Sequence, residues 1–161
     1  MVGDITYIPT DEGWLYTFIV KDLCMKKIVG YAFSGRLDAS LATSALEMAI
    51  RREWSSTGLT FHSDRGVQYA SLAYRQLLHR HGIRQSMSRK GDPYDNAVAE
   101  NFFSCLKCKI VHLQRFLTRS AAQTAIFGYI EAFYHSLRPH STLGWIAPIQ
   151  FQLLLQQHFA A

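Results

Sequence analysis

The sequence predicts one α/β domain: a five-stranded mixed sheet flanked by helices, with further helices at its C-terminal end. Three observations carry that expectation. The stretch up to about Phe33 holds β-branched and aromatic runs, the middle alternates helical and strand patterns, and everything beyond about residue 93 has helical spacing. A chain of 161 residues that is 48% hydrophobic has apolar material for one core and is too short for two comfortable domains.

Ile5 to Ile8 and Trp14 to Val20 flank Pro9-Thr10-Asp11-Glu12-Gly13, which predicts a hairpin with a longer loop. A third strand is expected at Lys27 to Phe33. Leu41, Ala45, Leu46, Met48, Ala49 and Ile50 then recur at helical spacing up to about Trp54, before Ser55-Ser56-Thr57-Gly58. Leu59-Thr60-Phe61 forms a short strand running into His62-Ser63-Asp64. Leu72, Tyr74, Leu77 and Leu78 share a helix stopped at His81-Gly82, and Ile83 to Met87 supplies a fifth strand. Helices around Pro93 to Val111, Ser120 to His135 and Pro148 to Phe159 complete the chain. Three antiparallel strands followed by alternating helices and parallel strands is the ribonuclease H-like arrangement, although a fold alone does not assign a function.

Charge narrows the partners. Seventeen Lys and Arg against twelve Asp and Glu leave +5, and seven His add to the positive side near acids, so an anionic partner is favoured. No stretch approaches the roughly 20 apolar residues of a membrane span, and Met1-Val2-Gly3-Asp4 lacks the basic start of a signal peptide, so a cytosolic protein is expected. Three cysteines, at 24, 105 and 108, suit reduced thiols better than a disulfide framework.

The acids carry the functional argument. Asp4 opens the first strand, Asp64 ends the fourth, and Glu100 lies on the helix after the fifth. If adjacent strands align as the topology suggests, three carboxylates converge at one sheet edge. Two unit charges ~4 Å apart repel by about 1 kcal/mol in water and about 4 kcal/mol at an effective dielectric near 20, so the cluster calls for a divalent cation. Carboxylate oxygens are hard ligands suited to Mg2+ or Mn2+, and a pair of such ions can activate water and stabilise the leaving oxygen of a phosphodiester. The bland alternative for Asp64 is that it or Ser63 caps the next helix. Glu100 is not needed as a cap, because Asp92, Pro93 and Asp95 already start its helix. Its own bland reading is a solvated helix face. Lys107, seven residues on, shares that face and suits a phosphate backbone.

"GDITYI", "HSDRGVQY", "SMSRKGDPYDNAVAENFFSCLK" and "RPHSTLGWIAP" together resemble the catalytic core of bacterial insertion-sequence transposases of the IS-three type (the OrfB product), relatives of retroviral integrases. Thirty-five residues lie between Asp64 and Glu100, the spacing of these acid-triad (DDE) recombinases. The resemblance implies that Asp4, Asp64 and Glu100 are the catalytic metal ligands, binding Mg2+ or Mn2+ as two ions, and that Lys107 takes the place of the family's basic residue. It implies DNA cleavage followed by attack of the freed 3′-hydroxyl on a second phosphodiester, with element ends and target DNA as partners and a homo-oligomer as the working form. A bacterial cytoplasmic, nucleoid-associated location follows.

The expectation is thus an integrase or transposase core over residues 1–161, without the helix-turn-helix region that family members usually carry ahead of the first Asp. Lys109 stands where they commonly have an acid, and His135 where they commonly have Asn. Arg89 and Lys90, in a Ser86 to Gly91 loop beside the acids, join Lys107 as DNA contacts, though the loop reads equally as a connector. Two other functions fit the same fold: a catalytically silent DNA-binding or oligomerising fragment, and a structure-selective nuclease.

The remaining polar and aromatic residues have structural readings beside functional ones. Asp22 reads as a turn residue more readily than as a fourth carboxylate. Cys105, Cys108 and His112 form no convincing zinc pattern and read as small buried thiols. Arg138-Pro139-His140 suits an anchor for the last helices at least as well as a catalytic part. Trp14, Trp54 and Trp145 read as core or interface residues before base-stacking platforms.

Overall fold

A computed structural model describes residues 1–53, 58–88 and 97–160. Its sheet has the order β3-β2-β1-β4-β5. Strands β1 (Val2–Thr10), β2 (Gly13–Lys21) and β3 (Ile28–Ser34) are antiparallel, and β4 (Thr60–Ser63) and β5 (Arg84–Met87) run parallel to β1. The expected element order is found throughout the described residues.

The first connection differs from expectation. Pro9 pairs with Trp14 and Thr10 with Gly13, so only Asp11 and Glu12 remain as the turn. Pro9 is tolerated because β4 reaches β1 only at its start, through Val2 and His62, which leaves the far half of β1 open on the side where a proline cannot donate. Gly13 adopts φ +100°, a backbone that a side chain would strain.

Helix α1 (Ala39–Glu53) begins at Asp38, whose Oδ1 accepts from the Ser40 and Leu41 amides, and ends with Arg51 and Arg52 facing the carbonyl end of its dipole. It lies so close to β3 that a Cβ on Gly30 would sit 2.1 Å from the Ala45 carbonyl oxygen. Helix α2 (Leu72–Arg80) is capped by Ser71, which accepts from the Tyr74 amide at 3.2 Å. Together α1 and α2 cover one sheet face through Leu41, Leu46, Tyr74 and Leu78, against Phe18, Val20 and Phe61.

On the other face, α3 (Ala97–Lys109) and α4 (Arg119–Gly128) bury Phe102, Leu106 and Ile126 against Ile8, Leu15 and Ile19. The helical pattern expected for Ser120 to His135 continues beyond α4 as a π-helical turn over Tyr129–Tyr134. The widened turn precedes buried His135, whose Nε2 accepts the Ile28 amide at 3.0 Å and ties the end of that turn to β3. Glu131 extends the fastening: Tyr31 and Arg52 each donate to its Oε1 at 2.8 Å, and its Oε2 lies 3.2 Å from His135 Nδ1. The C-terminal helix α5 (Pro148–Ala160) leaves Leu153, Leu154 and Phe159 exposed.

Candidate active site

The acids approach one another because of strand register. Val2 pairs with His62 across β1 and β4, so two residues further along each strand stand Asp4 and Asp64. Side chains alternate with period two, which puts Asp4 on the face of Ile8 and hence on the face that α3 covers. Asp64 shares that face with His62, at the C-terminal end of its strand. In open sheets of this kind, ligands sit beyond that end.

The charges of both carboxylates also reach one buried hydroxyl. Burial pushes the Tyr69 hydroxyl well above the ordinary phenol range, and the charges of Asp4 and Asp64 both push it further. Both acids therefore act on one buried ring, which packs against Phe18 and Phe61 beneath the sheet edge.

Each acid is also held locally. Asp4 Oδ1 accepts from the Ile5 amide at 2.8 Å, and Asp64 Oδ1 from the Gly66 amide at 2.9 Å. The Asp64 bond closes a turn ahead of the single 3-10 turn Val67–Ala70. Helix α2 has its own cap in Ser71, so capping α2 does not account for Asp64. The neighbouring strand ends are pinned by Arg65 Nε donating to the Ser88 carbonyl at 2.9 Å, and by Ser88 donating through its amide and hydroxyl to the Ser63 carbonyl. His62 bridges Ser86 and Ser88 through its two ring nitrogens.

Glu100 is exposed in the first described turn of α3, one residue after buried Ala99. Its helix is anchored by Lys21, which donates to the Val98 carbonyl at 3.3 Å, and by Phe102 in the core. Two turns on, the Lys107 ammonium lies 5.3 Å from the centre of the Tyr7 ring on β1. Among the described residues, no three His, Cys, Asp or Glu side chains stand close enough to hold a metal ion. The donor chemistry of Asp4 and Asp64 fits a hard divalent cation, with Glu100 one helix away on the covered face. Arg89, Lys90, Asp92, Pro93, Asp95 and Trp54 lie outside the described residues, and of the expected Ser86 to Gly91 loop, Ser86 and Met87 belong to β5.

The structural readings of other residues mostly hold. Asp22 Oδ2 accepts from the Met25 amide at 2.7 Å and closes the β2–β3 turn. All three thiols are free; of the two expected to be buried, Cys105 is half-buried and Cys108 is exposed. Arg138 stacks 5.2 Å from the Tyr134 ring and reaches Cys105 Sγ at 3.5 Å, while His140 pairs with Ile146, which makes the Arg-Pro-His segment an anchor. Trp14 and Trp145 are 49% and 74% exposed and so do not belong to the core. Sequence reasoning missed Lys21, a 3% exposed lysine ending an apolar strand. That abrupt charge after Phe18-Ile19-Val20 was the available signal.

The integrase core domain family matches residues 1–93, and a second integrase core domain family matches residues 81–148. The chain belongs to the integrase core domain family. This integrase core is 45% identical over 150 residues to the transposase InsF for insertion sequence IS3A of Escherichia coli K12, covering 93% of this chain and 52% of that protein. It thus spans about half the length of the curated relative. Among solved structures, it matches the simian T-cell lymphotropic virus intasome in complex with PP2A regulatory subunit B56 gamma (TM-score 0.74, 19% identity, 93% of this chain and 52% of that one). It also matches the HTLV-2 integrase catalytic core domain in complex with magnesium, in its trimeric form (TM-score 0.67, 14% identity, 93% of both chains). These two likenesses establish the ribonuclease H-like fold of the integrase core. No helix among the described residues is long and apolar enough to cross a membrane.

Proposed function

We propose that this integrase core is the catalytic part of an insertion-sequence transposase that cuts and joins DNA strands in the bacterial cytoplasm, on nucleoid DNA. The register that aligns Asp4, near the start of β1, with Asp64, one residue past the end of parallel β4, supports this reading. Asp4 and Asp64, with Glu100 brought in from α3, would hold Mg2+ or Mn2+, probed most simply as two ions. A bound divalent cation supplies charge neutralisation at the phosphodiester and a more acidic bound water.

The chain's own residues do the remaining work. The Ile5 and Gly66 amides hold Asp4 and Asp64 by one oxygen each, which orients both carboxylates before substrate arrives. The pinned ends of β4 and β5 keep Asp64 from moving away. Lys107, and Arg89 and Lys90 beyond the described residues, would bind backbone phosphates and align the cleaved strand with its target. Element ends and target DNA are then the partners, and a homo-oligomer brings two ends together.

The test is cleavage and joining. The core, joined to a DNA-recognition region and given matched ends with Mn2+, should nick and transfer strands. Asp64→Asn and Glu100→Gln should each abolish both steps while retaining wild-type folding. Full turnover in Asp64→Asn would refute the assignment.

A further inference from the structure

Beside the acid-bearing edge lies a groove of about 460 Å3 that the proposed chemistry does not use. Lys21, Lys26 and Arg138 line it, together with Asn101, Ser141, Thr142 and Trp145. Val98 and Asn101, which bracket Glu100 on α3, form part of its wall, so the groove adjoins the turn that carries the third acid.

Its charge is one-sided. No ion pair to Lys21, Lys26 or Arg138 forms among the described residues. Lys21 is almost wholly buried, yet its ammonium meets one carbonyl and the face of the Tyr134 ring, 5.7 Å from the ring centre. Burial, then Arg138 and Lys26, bring its pKa down to about 8. Burial together with the same three cations holds His140 at about 4, so the imidazole stays neutral and adds an acceptor and no charge. A buried ammonium with spare donors beside two more cations is costly unless an anion answers it.

The mouth of the groove has an aromatic face. Trp145 is 74% exposed and takes φ +64°, and Lys26 takes φ +59°. Both large side chains occupy a left-handed backbone that such residues rarely adopt, and both line the same groove. Cations that follow a backbone and an exposed ring that offers a flat face are the two parts of a single-strand binding site.

We propose that the groove of Lys21, Lys26, Arg138 and Trp145 is a subsite for one DNA strand, its cations holding backbone phosphates while Trp145 stacks a base. The assignment rests on the proposed DNA chemistry, because the groove opens beside Glu100. It adds a strand-positioning element separate from Lys107.

Lys26→Asn and Trp145→Asn test it, since Asn is at home in the left-handed region and both variants should fold. Binding of a fluorescein-labelled, mixed-sequence single-stranded oligonucleotide is followed by anisotropy in EDTA across a salt series. Trp145→Asn should weaken binding about tenfold with the salt slope unchanged. Lys26→Asn should weaken it and flatten the slope by about 0.7. Wild-type affinity and slope in both variants would overturn the subsite. So would displacement of the oligonucleotide by polyglutamate of equal charge with Trp145→Asn indistinguishable from wild type, which would make the groove an acidic-peptide site. Binding is read without metal, so the two claims fail separately. Groove-dependent binding without any metal-dependent cleavage refutes the catalysis alone, and intact cleavage with unaltered binding in both variants refutes the groove alone.

Discussion

Replacing Glu131 by Gln should destabilise the fold by an amount that depends on pH in a definite sense. Glu131 Oε1 receives Tyr31 and Arg52 at 2.8 Å, and Oε2 faces His135 Nδ1 at 3.2 Å. Hydrogen bonds to a charged group contribute about 1.5–3 kcal/mol when buried. With 38% and 30% of the Arg52 and Glu131 side chains exposed, that pair belongs nearer 0.5–1 kcal/mol. Gln retains an acceptor of the same shape, so the net loss near pH 7.5 should be about 1–2 kcal/mol, or about 3–6 °C in Tm for a chain of this size.

Acid should widen that difference. Burial holds His135 below its ordinary pKa, opposed by the Glu131 charge. A histidine kept neutral contributes full stability above its unfolded value of about 6.5 and loses it as pH falls below that. Removing the Glu131 charge lowers His135 further, so Glu131→Gln loses more between pH 7.5 and 5 than wild type does. Burial raises Glu131 itself, but the bonds from Arg52 and Tyr31 outweigh this and hold it below the usual range. Its own contribution is therefore present above the unfolded carboxylate pKa and disappears as pH falls through the folded one, where the two proteins should converge. Thermal unfolding at pH 7.5, 5 and 3.5 reads all three points. A Tm difference that is zero throughout, or that shrinks from pH 7.5 to 5, would refute the network's role.

Two further outcomes are expected. Gly30→Ala places a methyl 2.1 Å from the Ala45 carbonyl oxygen and 2.9 Å from the Ala49 amide, both backbone atoms, so α1 must shift, and urea unfolding should show a loss of about 2–3 kcal/mol. Lys107→Ala should weaken duplex DNA binding evenly across sequences and reduce the salt slope by about 0.9, because one phosphate contact is lost, and an unchanged slope would return Lys107 to its Tyr7 contact alone.

Much of this molecule was legible as pattern. Runs of β-branched and aromatic residues marked β1, β2 and β3, helical spacing marked α1 to α5, and the strand order followed from their sequence. The hairpin turn was not, because Pro9 reads as a breaker until the open side of β1 is known. Nor was the π-helical turn at Tyr129–Tyr134, which has no residue signature and leads into His135 on the Ile28 amide. For the site, the residue types of Asp4 and Asp64 could be read directly, whereas their proximity depends on a one-residue register that no local pattern encodes. The Asp64 cap question also needed coordinates, since Ser71 takes that role for α2. Lys21 and Trp145 escaped because a groove between β2, α3 and the segment before α5 is assembled from residues distant in sequence.

The proposed site requires that Asp4 and Asp64 act as one metal-binding pair. Mn2+-induced thermal stabilisation, titrated for wild type, Asp4→Asn, Asp64→Asn and the double variant, tests it most directly. A shared site predicts that either substitution removes most of the Mn2+-dependent rise in Tm and that the double variant loses nothing more. Independent, additive losses, or a rise of wild-type size in Asp64→Asn, would contradict it.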